Sequence, residues 1–172
     1  MRRLLWLLAL SLVCLGEARA QDSSAVPQDR LEALKGLTSV TLVAKVDKCL
    51  QHYGLTEAEL YKSAADRLTK AGITVRKPGG AAKQDATAPT LGVILDGHKI
   101  PGCMLVYHVQ VTTCEPVRLE RGDREAVQAS TWREEIFGAV DPGDMRHVLQ
   151  IADELVDRFV NEWSAANRGA GK

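Results

Sequence analysis

The 172-residue chain has no surplus of either charge: 22 Lys and Arg stand against 22 Asp and Glu. A protein that tracks a nucleic-acid backbone needs a clearly basic patch, so this balance excludes nucleic acid as an expected partner. It has no polyacidic tail. No GxGxxG or P-loop glycine pattern is present, so nucleotide binding has no motif to rest on. No GxSxG elbow marks a nucleophilic serine. No CxxC or CxxCH occurs, and no two histidines stand at the i,i+4 spacing of a helical zinc site. These absences remove the usual constellations for catalysis, cofactor binding and metal ligation, so no catalytic, cofactor-binding or metal residue is assigned.

The apolar run Leu4–Leu15 is short of the roughly 20 residues that span a bilayer. It follows Arg2 and Arg3 and precedes Ala18-Arg19-Ala20, a small-x-small cleavage pattern. Residues 1–20 therefore read as a general secretion signal peptide cleaved after Ala20, and the mature chain as periplasmic or secreted with no membrane span. The signal carries Arg2, Arg3 and Arg19 against Glu17, which leaves 152 residues with 19 basic and 21 acidic, a charge of −2. That length suits one domain burying about 70% of its unfolded surface.

Residues 21–36 read as a polar, flexible N-terminal arm with a weakly helical end. Ser39–Val46 alternates, with Val40, Leu42, Ala44 and Val46 on one face, as a half-buried strand does. Thr56-Glu57-Ala58-Glu59 is a capping box, and Leu55 and Leu60 are spaced as its hydrophobic staple. Leu60, Ala64, Leu68 and Ala71 form a helical stripe, Asp66 and Lys70 are spaced to pair, and Gly72 ends the helix. Ile73–Val75 starts a second strand. Strand, helix and strand in one sheet make a parallel crossover. Residues 77–90 are a solvated connector rich in glycine, proline and small polar residues.

Leu91–Leu95 reads as a third strand, Gly97–Gly102 as a turn, and Met104–Thr113 as a fourth strand that Val117–Leu119 continues. Pro116 cannot donate to a ladder, which implies an edge or a bulge. Glu120–Arg124 is a turn and Ala126–Arg133 a fifth strand. Asp144 caps a long closing helix whose apolar face runs Met145, Val148, Ile151, Ala152, Leu155, Phe159 and Trp163, with Glu154 and Arg158 spaced to pair. Residues 167–172 form a disordered tail. The fold class is α+β: a single domain over 37–166, β-α-β-loop-β-β-β-α, with a mixed, mainly antiparallel sheet and two helices on one face.

Cys49 and His52, in CLQHYGLT, have the look of half a zinc site, but no second pair completes it. Cys114 and His108 share a strand six residues apart, roughly 20 Å, too far for a thiol–imidazole couple. Asp153 and Asp157 share a helix face, the wet one. Cys14 leaves with the signal, so Cys49, Cys103 and Cys114 offer one disulfide and one odd thiol. Cys103 and Cys114 are separated by a strand of roughly 36 Å, against about 6 Å for a bridge. If strands one and three run parallel, Cys49 and Cys103 share a rim; if antiparallel, Cys49 comes nearer Cys114. The favoured bridge is Cys49–Cys103. Trp132 in the returning strand either anchors an interface on the outer sheet face or packs under the closing helix.

The stretches GLTEAELYKSAADRLTKAGITV, LGVILDG, YHVQV and VLQIADELVDRFVNEW carry a resemblance over about residues 37–166. The pattern resembles small bacterial envelope modules with an anticodon-binding-like α/β layout. Examples are the TolB amino-terminal domain, curli-type secretion lipoprotein modules and uncharacterised secreted or periplasmic bacterial proteins. The resemblance implies a non-enzymatic assembly or binding role with an envelope or secreted protein partner, and it carries over no residue. Two other readings stand beside it: an enzyme with a dispersed, thiol-dependent site at the odd cysteine, and a small-ligand or metal carrier using His52.

Overall fold

The computed structural model describes residues 28–79, 89–101, 104–118 and 127–168. Along the chain these form α1 (Gln28–Leu34), β1 (Ser39–Val46), α2 (Lys48–His52), α3 (Glu57–Lys70), β2 (Thr74–Arg76), β3 (Thr90–Ile100), β4 (Met104–Val117), β5 (Val127–Val140) and α4 (Met145–Asn167). The strands make one sheet in the order β2-β1-β3-β4-β5. β1 is parallel to both β2 and β3, and β3, β4 and β5 are successively antiparallel. The α+β class and mixed sheet expected from the sequence are the observed ones. The chain segment 1–27, the connector core 80–88, Gly102, Cys103, the 119–126 turn and the tail 169–172 lie outside the described residues.

Strand periodicity sorts the sheet into two faces. Inner rows run Leu42–Leu91–Thr113–Trp132, Ala44–Val93–Val111–Glu134 and Val46–Leu95–Val109–Ile136. Against them lie Leu60, Ala64 and Leu68 of α3 and Val148, Ile151, Leu155, Val156 and Phe159 of α4, all buried. Fully burying one such side chain stabilises by about 1.5–3 kcal/mol, so this face is the core. α4 spans about 34 Å at 1.5 Å per residue, enough to cross the sheet.

Local chemistry fixes where α3 starts and stops. Thr56 Oγ1 accepts from the Glu59 amide at 3.2 Å and donates to the Glu59 carboxylate at 3.3 Å. The carboxylate thus holds the capping hydroxyl rather than the Thr56 amide. Leu55 and Leu60 are both buried, as a staple requires. Gly72 closes the helix at φ +93°, a left-handed conformation that glycine adopts without strain.

Several expected details differ. Residues 97–100 belong to β3 rather than to a turn, and β5 continues from Arg133 through Val140. In the hairpin arms Gly97 and Gly138 flank Tyr107 in one row: a Cβ at Gly97 would overlap Leu50, and one at Gly138 would overlap Tyr107. Both glycines are strand residues made necessary by close approach, not turn residues. Of the expected arm, 28–34 is a helix: Leu34 is fully buried, and the Gly36 amide donates to Asn167 Oδ1 at 2.8 Å. Asn167 also donates to the Leu34 and Trp163 carbonyls, so the helix is anchored where fraying was expected. Asp144 stands at the N-cap of α4 without a side-chain cap bond; Asp141 Oδ1 instead accepts from the Gly143 amide.

The expected Asp66–Lys70 and Glu154–Arg158 pairs are not among the ion pairs of the described residues. Arg67 bridges α3 to α4 through Asp153 (2.9 Å) and Asp157 (2.7 Å), and Arg158 reaches Glu134 on β5. Burial works against the Arg67 charge, but the two carboxylates outweigh it and hold its pKa above the ordinary value.

Candidate interaction surface

The sheet's other face carries no helix among the described residues. Its rows run Val43–Gly92–Thr112–Arg133, Lys45–Ile94–Gln110–Glu135, Asp96–His108–Phe137 and His98–Val106–Ala139, with Met104 beside Ile100. Phe137 is 68% exposed, Met104 43% and Val106 36%. Together they make an apolar step at the end of the sheet where β3 and β4 turn. A shallow hollow of about 200 Å³ lies beside it, lined by Asp96, His98, Val106, His108 and Phe137.

Charge frames this step. The His108 ring stacks on Phe137 with centroids 4.2 Å apart and planes 8° from parallel. Its Nε2 is 3.2 Å from Glu135 Oε2, and its Nδ1 is 3.6 Å from Asp96 Oδ2. Arg133 donates to the same Glu135 oxygen from Nε (3.1 Å) and Nη2 (2.6 Å). The Arg133 guanidinium first, and His108 after it, hold the Glu135 carboxyl below the usual glutamate value. An exposed aromatic ringed by paired charges is the kind of surface that suits contact with another macromolecule.

Trp132 lies on the helix-covered face, not the outer one. The cause is a bulge: β4 and β5 pair Cys114 with Ser130 but Thr113 with Trp132, so Thr131 is the extra residue and every side chain beyond it changes face. Thr131 Oγ1 bonds Thr113 Oγ1 and donates to Glu115, which satisfies the hydroxyl at the irregularity. Trp132 is 2% exposed, sits edge-on to Phe159 at 5.1 Å, and donates from Nε1 to Glu162 Oε2 at 2.7 Å. Arg30 lies 5.0 Å over the indole and bonds both Glu134 (2.9 Å) and Glu162 (3.1 Å). This cluster ties α1, β5 and α4 together. Pro116 lies beyond Cys114, the last β4 residue paired to β3, so its missing N–H interrupts no β3–β4 pairing.

Cys49 and Cys114, both partly buried, are not bridged to each other, so the Cys49–Cys114 alternative is not formed; Cys103, needed for the favoured bridge, lies outside the described residues. Cys49 belongs to α2, where its amide donates to Asp47, and the Tyr53 ring stands edge-on to His52. Cys114 is on the outer face between Thr90 and Ser130. His147 packs edge-on to Tyr107. Among the described residues, no three His, Cys, Asp or Glu side chains assemble as metal ligands, and no helix is long and apolar enough to cross a membrane.

Sequence reasoning missed Phe137. The signal was present: Arg133, Glu135 and Phe137 alternate, and extending the fifth strand by four residues places all three on one face.

No protein-family model and no curated protein matches the chain. Among solved structures it is similar to a minor lipoprotein from Acinetobacter baumannii, at 13% identity and TM-score 0.40, over 76% of this chain and 93% of that one. It is also similar to the rare lipoprotein B of Shewanella oneidensis, at 17% identity and TM-score 0.30, over 74% of this chain and 92% of that one. Likenesses this distant transfer no residue role to the chain.

Proposed function

We propose that this protein is an exported, non-catalytic interaction module of the cell envelope that binds another envelope protein through the outer face of its sheet. The observation that carries the reading is the uncovered apolar step made by Phe137, Val106 and Met104 on one sheet face, framed by the paired charges of His108, Glu135 and Arg133. The opposite face is already filled by α3 and α4, and the partly buried charged groups there are paired within the chain, Arg30 with Glu134 and Arg67 with Asp153. A central aromatic with a polar surround is the arrangement in which interface anchors contribute most. The export signal read from residues 1–20 supports the envelope as the place of action.

The experiment is photo-crosslinking in cells, with a photoreactive residue at Phe137 and, as control, at exposed Lys62 on α3. The reading expects one adduct at Phe137, of a mass other than twice the chain, that is absent from Lys62 and lost when Val106→Asp is added. Equal adducts from both positions, or none from Phe137, would refute it.

A further inference from the structure

We infer that the free edge of β5 pairs antiparallel with β5 of a second copy, about a two-fold axis at Glu134, to make one continuous sheet. The two sheet edges differ. β2 is three residues long, too short to template a partner, whereas β5 is fourteen, and among the described residues it pairs with β4 alone. An edge strand presents a row of unpaired N–H and C=O groups, which proteins blunt with lysine, proline or bulges. On β5 the bulge at Thr131 guards the first part; from Trp132 to Val140 there is neither lysine nor proline.

The charges that remain select a register. Side chains alternate, so a second copy must set outer residues against outer residues to keep one face. An axis on Arg133 opposes Arg133 to itself, and one on Glu135 opposes Glu135 to itself. An axis on Ile136 sets Glu135 against Phe137. An axis on Glu134 sets Arg133 of each copy against Glu135 of the other, which makes two opposite-charge cross-strand pairs. On the inner face this register brings the two Glu134 side chains together. Each belongs to a neutral cluster, Glu134 and Glu162 with Arg30 and Arg158, so their repulsion is compensated within each chain. Ile136 then faces Trp132 of the second copy. Phe137 falls opposite the bulged Thr131 and stays exposed, so the two Phe137 rings end roughly 20 Å apart along the strands on one surface. The pairing leaves the outer step open and does not depend on its having a partner.

The test is sedimentation of the exported protein over an about hundredfold concentration range, for wild type, Arg133→Glu, Glu135→Arg and the double reversal. Wild type passes from monomer to dimer. Each single reversal turns two attractive pairs into repulsive ones and weakens association by about tenfold or more; the double reversal restores it to within about threefold. Both side chains are substantially exposed, 52% and 37%, and circular dichroism verifies that each variant is folded. A second measurement needs no variant: amide exchange along Arg133–Ala139 slows as wild-type concentration rises. A wild-type monomer throughout, a dimer indifferent to the single reversals, a folded double reversal that stays monomeric, exchange independent of concentration, or a mass gain only with a different protein would each overturn the pairing. Heteromeric adducts at Phe137 are read separately, so either conclusion can fail alone.

Discussion

Glu162 offers a way to weigh the cluster that seats α1 and Trp132. Its Oε2 accepts the Trp132 indole N–H at 2.7 Å, and its Oε1 accepts from Arg30 at 3.1 Å. Trp132 is 2% exposed, so its donor depends on the carboxylate for a partner. Glu162→Ala leaves a buried donor unmet, at about 1–3 kcal/mol. It also breaks an ion pair with partners 29% and 14% exposed, worth about 1 kcal/mol at most. The expected loss is about 1–4 kcal/mol, a fall in melting temperature of roughly 2–16 °C for a domain of this size. Glu162→Gln keeps an amide oxygen for the indole but turns its NH2 toward Arg30, so it loses both the charge and the acceptor there and costs about 1 kcal/mol. Urea unfolding followed by tryptophan fluorescence measures both. If the Gln variant loses as much as the Ala variant, the charge rather than the indole hydrogen bond holds the cluster. If neither loses more than about 0.5 kcal/mol, the cluster contributes nothing that water does not replace.

Other substitutions probe different parts of the fold. Gly138→Ala drives a methyl into the Tyr107 ring and destabilises by about 1–3 kcal/mol; Tyr107→Leu in the same chain recovers part of that in urea unfolding, whereas a full-cost double variant would contradict the contact. Glu135 is held below its usual pKa chiefly by Arg133, so the stability this interaction contributes is present above the unfolded glutamate value and is lost as pH falls through the lowered folded one. Arg133→Gln should raise the Glu135 midpoint in an NMR titration, and an unchanged midpoint would remove Arg133 as the cause. Alkylation and non-reducing mass mapping of the exported protein decide the cysteines. A Cys49–Cys103 bridge predicts Cys114 as the sole alkylated thiol, and three alkylated thiols would exclude it.

What could be read from the sequence follows from where each element gets its stability. β1 and α3 were legible because their signals are local: alternation into a single covered face, a capping hydroxyl, a staple and a terminal glycine. α1 showed only as a weakly helical end of the arm, because it is held by distant partners, Arg30 by Glu134 and Glu162, and Gly36 just beyond it by Asn167. The second half of β5 was obscured by Arg133-Glu134-Glu135, which reads as polar loop until one face is known to meet solvent and the other to meet arginines. Gly97 read as turn punctuation because the reason for it, the side chain of Leu50, comes from another element. The face of Trp132 turned on one extra residue at Thr131; Pro116 announced an edge or a bulge in the neighbouring strand, but not which residue of β5 would be the extra one. The interaction surface inherited these errors: without the end of β5 there was no Phe137, and Trp132 was the aromatic left to consider.

The most direct measurement pairs binding with stability in one variant, Phe137→Asp. Phe137 is 68% exposed on the uncovered face, so its loss should leave the melting temperature within about 2 °C of wild type, as for a surface position. With the photoreactive residue moved to Val106, the heteromeric adduct should disappear. A chain that melts much earlier, as a core substitution would make it, would show Phe137 to be part of the fold rather than a contact surface. An adduct that survives undiminished would place the binding surface elsewhere on the molecule.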